Sequence, residues 1–172
     1  MKKIILTIAA VFAFGAASAQ DMKFGVRGGL DLVSAKMTVD LGDGETFSSS
    51  ESLTGFFVGG FVEFGLADKF VLQPGISYHM ASKGSGEAEI KADFLSIPVI
   101  VKYAVAEKIN ILAGPALFYS MDSEDPDKTR FNLELGASYD ISENFFVDPR
   151  YSIGLTGDSK VSHFLIGVGY KF

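Results

Sequence analysis

The feature that most limits what this chain can fold into is the alternation of its last twelve residues, 161–172. Counting back in twos from Phe172, the side chains are apolar or aromatic as far as Phe164. The side chains between them are small or polar, with Leu165 as the exception. A period of two is typical of an extended strand with two different faces. The chain therefore predicts a β-strand at its end, with one apolar face.

The first nineteen residues have the three parts of a secretory signal peptide. Basic Lys2 and Lys3 precede an apolar run over 4–17, and Ala17-Ser18-Ala19 forms a small-residue cleavage site. The apolar run is shorter than the about 20 residues that a membrane-spanning helix needs. We predict a cleaved signal peptide over 1–19 and a single domain over 20–172.

Composition excludes several classes of protein. The chain has no cysteine, which excludes a disulfide framework and a lipid anchor on a cysteine. Loss of Lys2 and Lys3 with the signal would take the formal net charge from −6 to −8, which argues against nucleic acid as a partner. The 19 glycines and 16 phenylalanines suit many strands that cross at close quarters.

The rest of the chain divides into eight runs of alternating character. They cover 22–33, 54–66, 70–81, 93–105, 109–120, 130–141, 145–156 and 161–172. Three-residue connectors at 67–69, 106–108 and 142–144 alternate with mostly longer ones at 34–53, 82–92, 121–129 and 157–160. Short turns on one side and longer loops on the other are the layout of an outer-membrane barrel. The sequence therefore predicts an all-β fold, an eight-stranded antiparallel up-and-down transmembrane β-barrel.

The tyrosines and the direction of the alternation favour a membrane barrel over a soluble one. All six tyrosines fall on the apolar face and lie near the ends of the runs, except Tyr151, which lies above mid-strand. Such a distribution forms the aromatic girdles of a membrane barrel. A soluble lipocalin-like barrel also has eight strands, but its inside should be apolar. Four prolines interrupt the runs, and we expect β-bulges to accommodate them: Pro74, Pro98, Pro115 and Pro149.

The polar face collects charges of both signs. We predict that they form a network of ion pairs that fills the barrel: Arg27, Asp31, Glu63, Lys102, Glu134, Asp148 and Arg150, with Lys23 and Lys171 on the same face. An eight-stranded barrel is just wide enough for side chains to fill it. A continuous wet path would instead make a small-solute channel, and the sequence leaves that alternative open.

Few residues suggest chemistry. His79 and His163 fall on the polar face, and Ser77 shares it with His79. In this the chain is similar to the eight-stranded outer-membrane barrels that are lipid hydrolases or acyltransferases and use His, Ser and an acid, and the resemblance implies such an enzyme as a third alternative. No local motif supports that alternative, and we assign no catalytic residue, cofactor or metal. The acidic stretch 40–45 has carboxylates of the kind that bind calcium, but their spacing matches no defined calcium motif. Its Gly-Asp-Gly favours a hairpin turn instead, and the hairpin would offer an exposed strand edge.

Four segments of the chain resemble, in order, the strand motifs of a known family. They are Phe24–Leu30, Leu72–Tyr78, Phe94–Tyr103 and Arg150–Leu155, and they resemble the Bacteroidetes outer-membrane β-barrel family, often labelled porin family or PorT-like. The last strand, with Tyr170 and Phe172, resembles the C-terminal sorting strand of outer-membrane barrels. The resemblance spans the mature chain and implies a barrel similar in size to OmpX and the OmpA transmembrane domain. It implies no reaction and carries over no catalytic residue.

These observations predict a protein of the outer membrane of a Gram-negative bacterium. We expect a structural or surface-interaction role through the outer loops, with 34–53 as the contact surface for a protein partner. The other expected partners are outer-membrane lipids and the barrel assembly machinery, and we expect a monomer that binds no nucleic acid.

Overall fold

A computed structural model describes residues 22–40, 46–83, 90–122, 128–156 and 159–172. The predicted signal peptide, 1–19, lies outside these residues. Eight strands follow one another: β1 (Met22–Asp40), β2 (Thr46–Ala67), β3 (Phe70–Lys83), β4 (Ile90–Ala106), β5 (Ile109–Ser120), β6 (Thr129–Asp140), β7 (Phe145–Gly154) and β8 (Ser159–Lys171).

The strands form a closed barrel in which each strand pairs with its neighbours in sequence. All the pairings are antiparallel, and β1 closes the barrel against β8 from Gly25 opposite Lys171 to Met37 opposite Ser159. The predicted fold class is confirmed. Within the described ranges, no helix is long and apolar enough to cross a membrane.

The connections are short at one end of the barrel, as predicted, and at the other end most strands, above all β1 and β2, are longer than predicted. Residues 68–69, 107–108 and 141–144 join strands at the short-turn end. At the other end most of the predicted loop 34–53 is strand, because β1 and β2 remain paired as far as Asp40 opposite Thr46. This pairing bears out the hairpin predicted there. The hairpin tip and most of the acidic stretch 40–45 lie outside the described residues.

The apolar face of each strand points outward, toward where lipid would lie. Phe24, Phe56 and Val168 are 54%, 61% and 60% exposed, as suits side chains that a bilayer covers. All six tyrosines are at least partly exposed on this outer surface. An outward apolar band is the opposite of the soluble lipocalin-like arrangement, in which the apolar residues line the cavity.

The prediction of bulges at the four prolines is wrong. The register shifts lie instead beside the short turns, between Gly65 and Ala67 and between Ala104 and Ala106. At each proline two consecutive pairs are missing from one ladder, and the register is the same on both sides of the gap.

The direction of each missing N–H explains these gaps. The N–H of Phe172 donates to the carbonyl oxygen of Phe24, so even-numbered residues of β1 direct their backbone groups at β8 and odd-numbered ones at β2. Followed around the barrel through the registers, this alternation directs the nitrogen of each proline at the preceding strand. The gap lies in that ladder every time; for Pro149 it is the β6–β7 ladder. The missing N–H donor interrupts the ladder at the proline. The residue pairs on both sides of the gap keep the two strands in the same register.

The barrel interior differs from the purely polar one that the sequence predicted. Five phenylalanine side chains are buried on the inward face: Phe57, Phe61, Phe94, Phe118 and Phe146. A small aliphatic cluster closes the interior toward the hairpin end: Val33, Leu53, Ala81 and Val161. Glycines make room for the rings, since a Cβ at Gly169 would lie 2.2 Å from the Phe146 ring. The interior is therefore a layered core of charges and aromatic rings.

Candidate functional site

The lowest layer of the interior, next to the short turns, is an ion pair between two strand ends. The Lys171 ammonium lies 2.8 Å from Asp140 Oδ1. The Asn110 amide also donates to Asp140, at 3.1 Å, and to Ser138, at 3.2 Å. This layer is only part-buried, so water screens its charges.

The second layer joins β2, β3 and β4 through one carboxylate. Glu63 accepts hydrogen bonds from the Lys102 ammonium and, at 2.9 Å, from the Gln73 amide. Lys102 Nζ also lies 5.6 Å from the centre of the Phe146 ring, which packs edge-on against Phe61. A buried ammonium thus has both a carboxylate and an aromatic face as partners.

The central layer is organised by Arg150, whose side chain is buried. Its guanidinium contacts Asp148 at 2.7 Å, and it reaches Glu134 at 3.5 Å. It also donates to the side-chain oxygen of Gln73 at 2.7 Å. Gln73 therefore links the central layer to the one below it, because its amide nitrogen donates to Glu63.

Arg27 shares Asp148 with Arg150. Its guanidinium lies 3.4 Å from that carboxylate, and its Cζ lies 4.7 Å from the centre of the Phe57 ring. Two arginines face the two carboxylates Asp148 and Glu134, so the charges of this layer balance. Such an arrangement stabilises buried charges that would be costly if unpaired.

A fourth layer, on the hairpin side of the central one, is a cluster of Asp31, His79 and His163. The Nδ1 atoms of the two imidazoles lie 2.8 and 3.0 Å from Asp31 Oδ2. Nε2 of His79 lies 2.9 Å from the Ser96 hydroxyl. The His163 ring stacks on Phe118 at 4.4 Å and the His79 ring on Phe57 at 5.4 Å, so both imidazoles are fixed in position.

The contacts in this cluster bear on the alternative that the histidines belong to a lipid hydrolase or acyltransferase. Ser96, and not Ser77, is the hydroxyl at His79, and Asp31 is the acid. Carboxylate, imidazole and hydroxyl in that order are the connections of a nucleophilic triad. All three side chains are at most 2% exposed, so the Ser96 hydroxyl is buried inside the barrel and not at its surface.

The hairpin of β1 and β2 projects beyond the other strands of the described structure. Pairing of β2 with β3 ends at Thr54 opposite Ser82, and pairing of β1 with β8 ends at Met37 opposite Ser159. The eight residues 46–53 therefore extend about 26 Å along the strand, at about 3.3 Å per residue.

Among the residues that the structure describes, no strand pairs with the second edge of β2 over 46–53, which we call the free edge. Since even-numbered residues of β2 direct their backbone groups away from β1, the N–H and C=O groups of Ser48, Ser50 and Ser52 point to the side where no described strand pairs with them. Unpaired strand edges are templates for the addition of another strand.

At the opposite end of the barrel lie the two residues of the predicted sorting terminus. The rings of Tyr170 and Phe172 are 5.2 Å apart, and Tyr170 also packs edge-on against Phe145 at 4.8 Å. Phe172 is 71% exposed on the outside of the barrel. The last two aromatic residues thus present one surface at the rim.

Sequence reasoning missed several interior residues, including the buried Arg130, which lies on the same face of β6 as Glu134. Gln73 and Ser96 lie on the polar face but carry no charge, so nothing marked them beyond their parity. The inward phenylalanines had a readable signal, because the adjacent pairs Phe56-Phe57 and Phe145-Phe146 cannot place both rings on one face of a strand.

Comparisons with known proteins agree with this geometry. Residues 4–172 match the family model described as outer membrane protein beta-barrel domain. Among solved structures, the chain is similar to Ail, the attachment invasion locus protein of Yersinia pestis, with 19% identity, a TM-score of 0.60, and coverage of 89% of this chain and 100% of that one. It is also similar to neisserial surface protein A, with 15% identity, a TM-score of 0.52, and coverage of 89% and 100%. A third similar structure is OprG of Pseudomonas aeruginosa, with 18% identity, a TM-score of 0.50, and coverage of 87% of this chain and 95% of that one. No curated protein sequence matches the chain.

Proposed function

Because the chain belongs to the outer membrane protein beta-barrel domain family, we propose that it acts by surface contact, through the projecting β1–β2 hairpin. The protein lies in the outer membrane of a Gram-negative bacterium, as predicted. The observation that carries the proposal is the edge of β2 over 46–53, with which no strand of the described ranges pairs. Its partner is an extended polypeptide segment that adds as a strand to this edge.

The filled interior supports contact over transport. Ion pairs, aromatic rings and the aliphatic cluster follow one another along the barrel axis, from Lys171 at one end to Val33 at the other. An eight-stranded barrel leaves little space once its inward side chains are in place. The small-solute channel is therefore the second candidate, and the lipid-modifying enzyme is the third because its serine is buried.

The proposal also covers the branch of the family, the assembly machinery, the oligomeric state and the surrounding lipid. The ordered strand motifs support membership of the Bacteroidetes branch of the family. The exposed aromatic surface of Tyr170 and Phe172 suits recognition by the barrel assembly machinery. The paired β1–β8 seam supports a barrel that is complete as a monomer, with lipid around its apolar band.

Two neighbouring proline substitutions test the role of the free edge. Ser48→Pro removes an N–H from the free edge, whereas Ser49→Pro removes one that faces β1 opposite Met37. A photo-crosslinking residue at position 52 of intact cells should capture a polypeptide in the wild type and with Ser49→Pro. Capture should be lost with Ser48→Pro. Equal capture with all three proteins would contradict binding through the edge.

Solute efflux separates contact from transport. The refolded barrel, with folding checked by its heat-dependent shift on a gel, should retain small sugars and ions in liposomes. A matched sample that was boiled before addition gives the background. Leakage above that background at low protein density would make the channel the primary function.

A further inference from the structure

We propose that Asp31, His79 and His163 form a binding site for one divalent transition-metal ion of the zinc type inside the barrel. The ligands would be Oδ2 of Asp31 and Nδ1 of each imidazole. The possible ligand atoms of these three residues lie within 4.8 Å of one another. The proposal goes beyond surface contact and does not depend on it.

The first support is the charge of this layer. Glu63, Glu134, Asp140 and Asp148 each contact the side chain of a lysine or an arginine. The Asp31 carboxylate, which is fully buried, instead contacts two imidazoles. A buried carboxylate needs a compensating positive charge. A divalent cation between the carboxylate and the two rings would supply it.

The second support is the donor set and its spacing. Two imidazole nitrogens and one carboxylate oxygen suit zinc and similar ions, while calcium and magnesium prefer oxygen ligands. Zinc–ligand bonds of about 2.1 Å at tetrahedral angles place ligand atoms about 3.4 Å apart. The two nitrogen–oxygen distances, 2.8 and 3.0 Å, are therefore only about half an ångström too short.

The third support is the arrangement around the ligands. A metal-binding imidazole usually has its other nitrogen hydrogen-bonded to an oxygen, which fixes the ring. His79 meets this condition through the Ser96 hydroxyl at 2.9 Å. The rings of Phe57, Phe94 and Phe118 pack against the two imidazoles and exclude bulk water from them.

The position of the site defines its effect. Asp31 lies on β1, His163 on β8 and His79 on β3, so a bound ion would cross-link the first and last strands at the seam that closes the barrel. The buried position also implies that the ion enters as the barrel folds. Metal binding would then stabilise the folded state.

Metal content of the refolded barrel tests the proposal. The mature protein is refolded in detergent with one equivalent of Zn²⁺, desalted, and analysed for bound zinc, with folding checked by the heat-dependent gel shift. One zinc per folded barrel is expected for the wild type and for the control Asp93→Asn, which removes a carboxylate at the outer rim. His163→Gln should retain none. Ser96→Ala should weaken zinc binding by about 10- to 100-fold.

A second measurement needs no variant. Zinc X-ray absorption of the wild-type barrel should show two imidazole ligands, and a Co²⁺-refolded sample should show the visible absorption of tetrahedral cobalt. Folded wild-type barrel that retains no zinc would overturn the proposal and leave an imidazolium–carboxylate cluster. Equal zinc content in wild type and His163→Gln, or a spectrum without imidazole ligands, would overturn it as adventitious binding.

Discussion

At the scale of single residues, burial decides how much each interior charge contributes to stability. Arg150→Met leaves Asp148 and Glu134 with less compensation in a dry layer, and should cost about 3–5 kcal/mol of unfolding free energy. Lys171→Met removes an equally close ion pair at the part-buried mouth and should cost about 1 kcal/mol or less. Urea unfolding of the two variants in detergent measures both. Similar costs would show that the central layer is as well hydrated as the mouth.

The sequence predicts which face each of these charges occupies, but not its partner. Because successive side chains of a strand point to opposite faces, the alternation alone predicts that Arg150 and Asp148 point into the barrel. The contact between Arg150 and Gln73, 77 positions apart, depends on the relative heights of β3 and β7. Those heights follow from the stagger of every ladder between them, which no local pattern encodes.

At the scale of the strand, a proline removes one hydrogen bond from the ladder and leaves the register intact. Pro149→Ala should restore an N–H that points at Ala137 of β6, and its amide should exchange slowly with solvent. The change in unfolding free energy should stay within about 1 kcal/mol, because the added hydrogen bond offsets the greater freedom of the unfolded chain.

Hydrogen exchange followed by NMR measures the new amide. Pro115→Ala is a second test of the same kind, because Pro115 is also exposed on the outer face and faces a gap opposite Val99, and its new amide should also exchange slowly. Exchange at position 149 as fast as at the short turns would show that the gap has another cause.

The sequence predicted the strands more accurately than their ends. Hydrophobic alternation stops where the lipid-facing band stops, so the runs ended at residue 33 and began again at 54. Ladder hydrogen bonds do not require apolar side chains, and β1 and β2 therefore continue through the serine-rich stretch 48–52. The Phe56-Phe57 pair is different, because adjacent side chains of a strand point to opposite faces and the sequence itself therefore indicates one inward phenylalanine.

At the scale of the whole molecule, the C-terminal aromatic surface should matter for assembly and little for stability. Phe172→Ser should lower the amount of heat-shifting barrel in outer membranes while refolding in detergent is unchanged. Phe24→Ser, an exposed phenylalanine at the same rim, is the control and should assemble normally. Equal assembly of the two variants would remove Phe172 from recognition by the assembly machinery.

Strand number and closure were predictable because short turns and longer loops alternate along the chain. What fills the barrel was only partly predictable, because an inward position accepts a charge, a serine or a phenylalanine alike. Which of them is present depends on the space that the opposite wall leaves, as Gly169 leaves for Phe146.

The distribution of ladder gaps has a mechanical consequence. The three consecutive seams from β2 to β5 each lack two residue pairs at a proline, whereas the seams that join β7, β8, β1 and β2 are continuous. The hydrogen bonds between strands resist the sliding of one strand past the next. The barrel wall therefore has a stiff arc, from β7 through β8 and β1 to β2, and a compliant arc, from β2 to β5. When the bilayer thins or compresses the barrel, its cross-section should flatten by bending along the β2–β5 arc, while the projecting hairpin remains anchored at the stiff side.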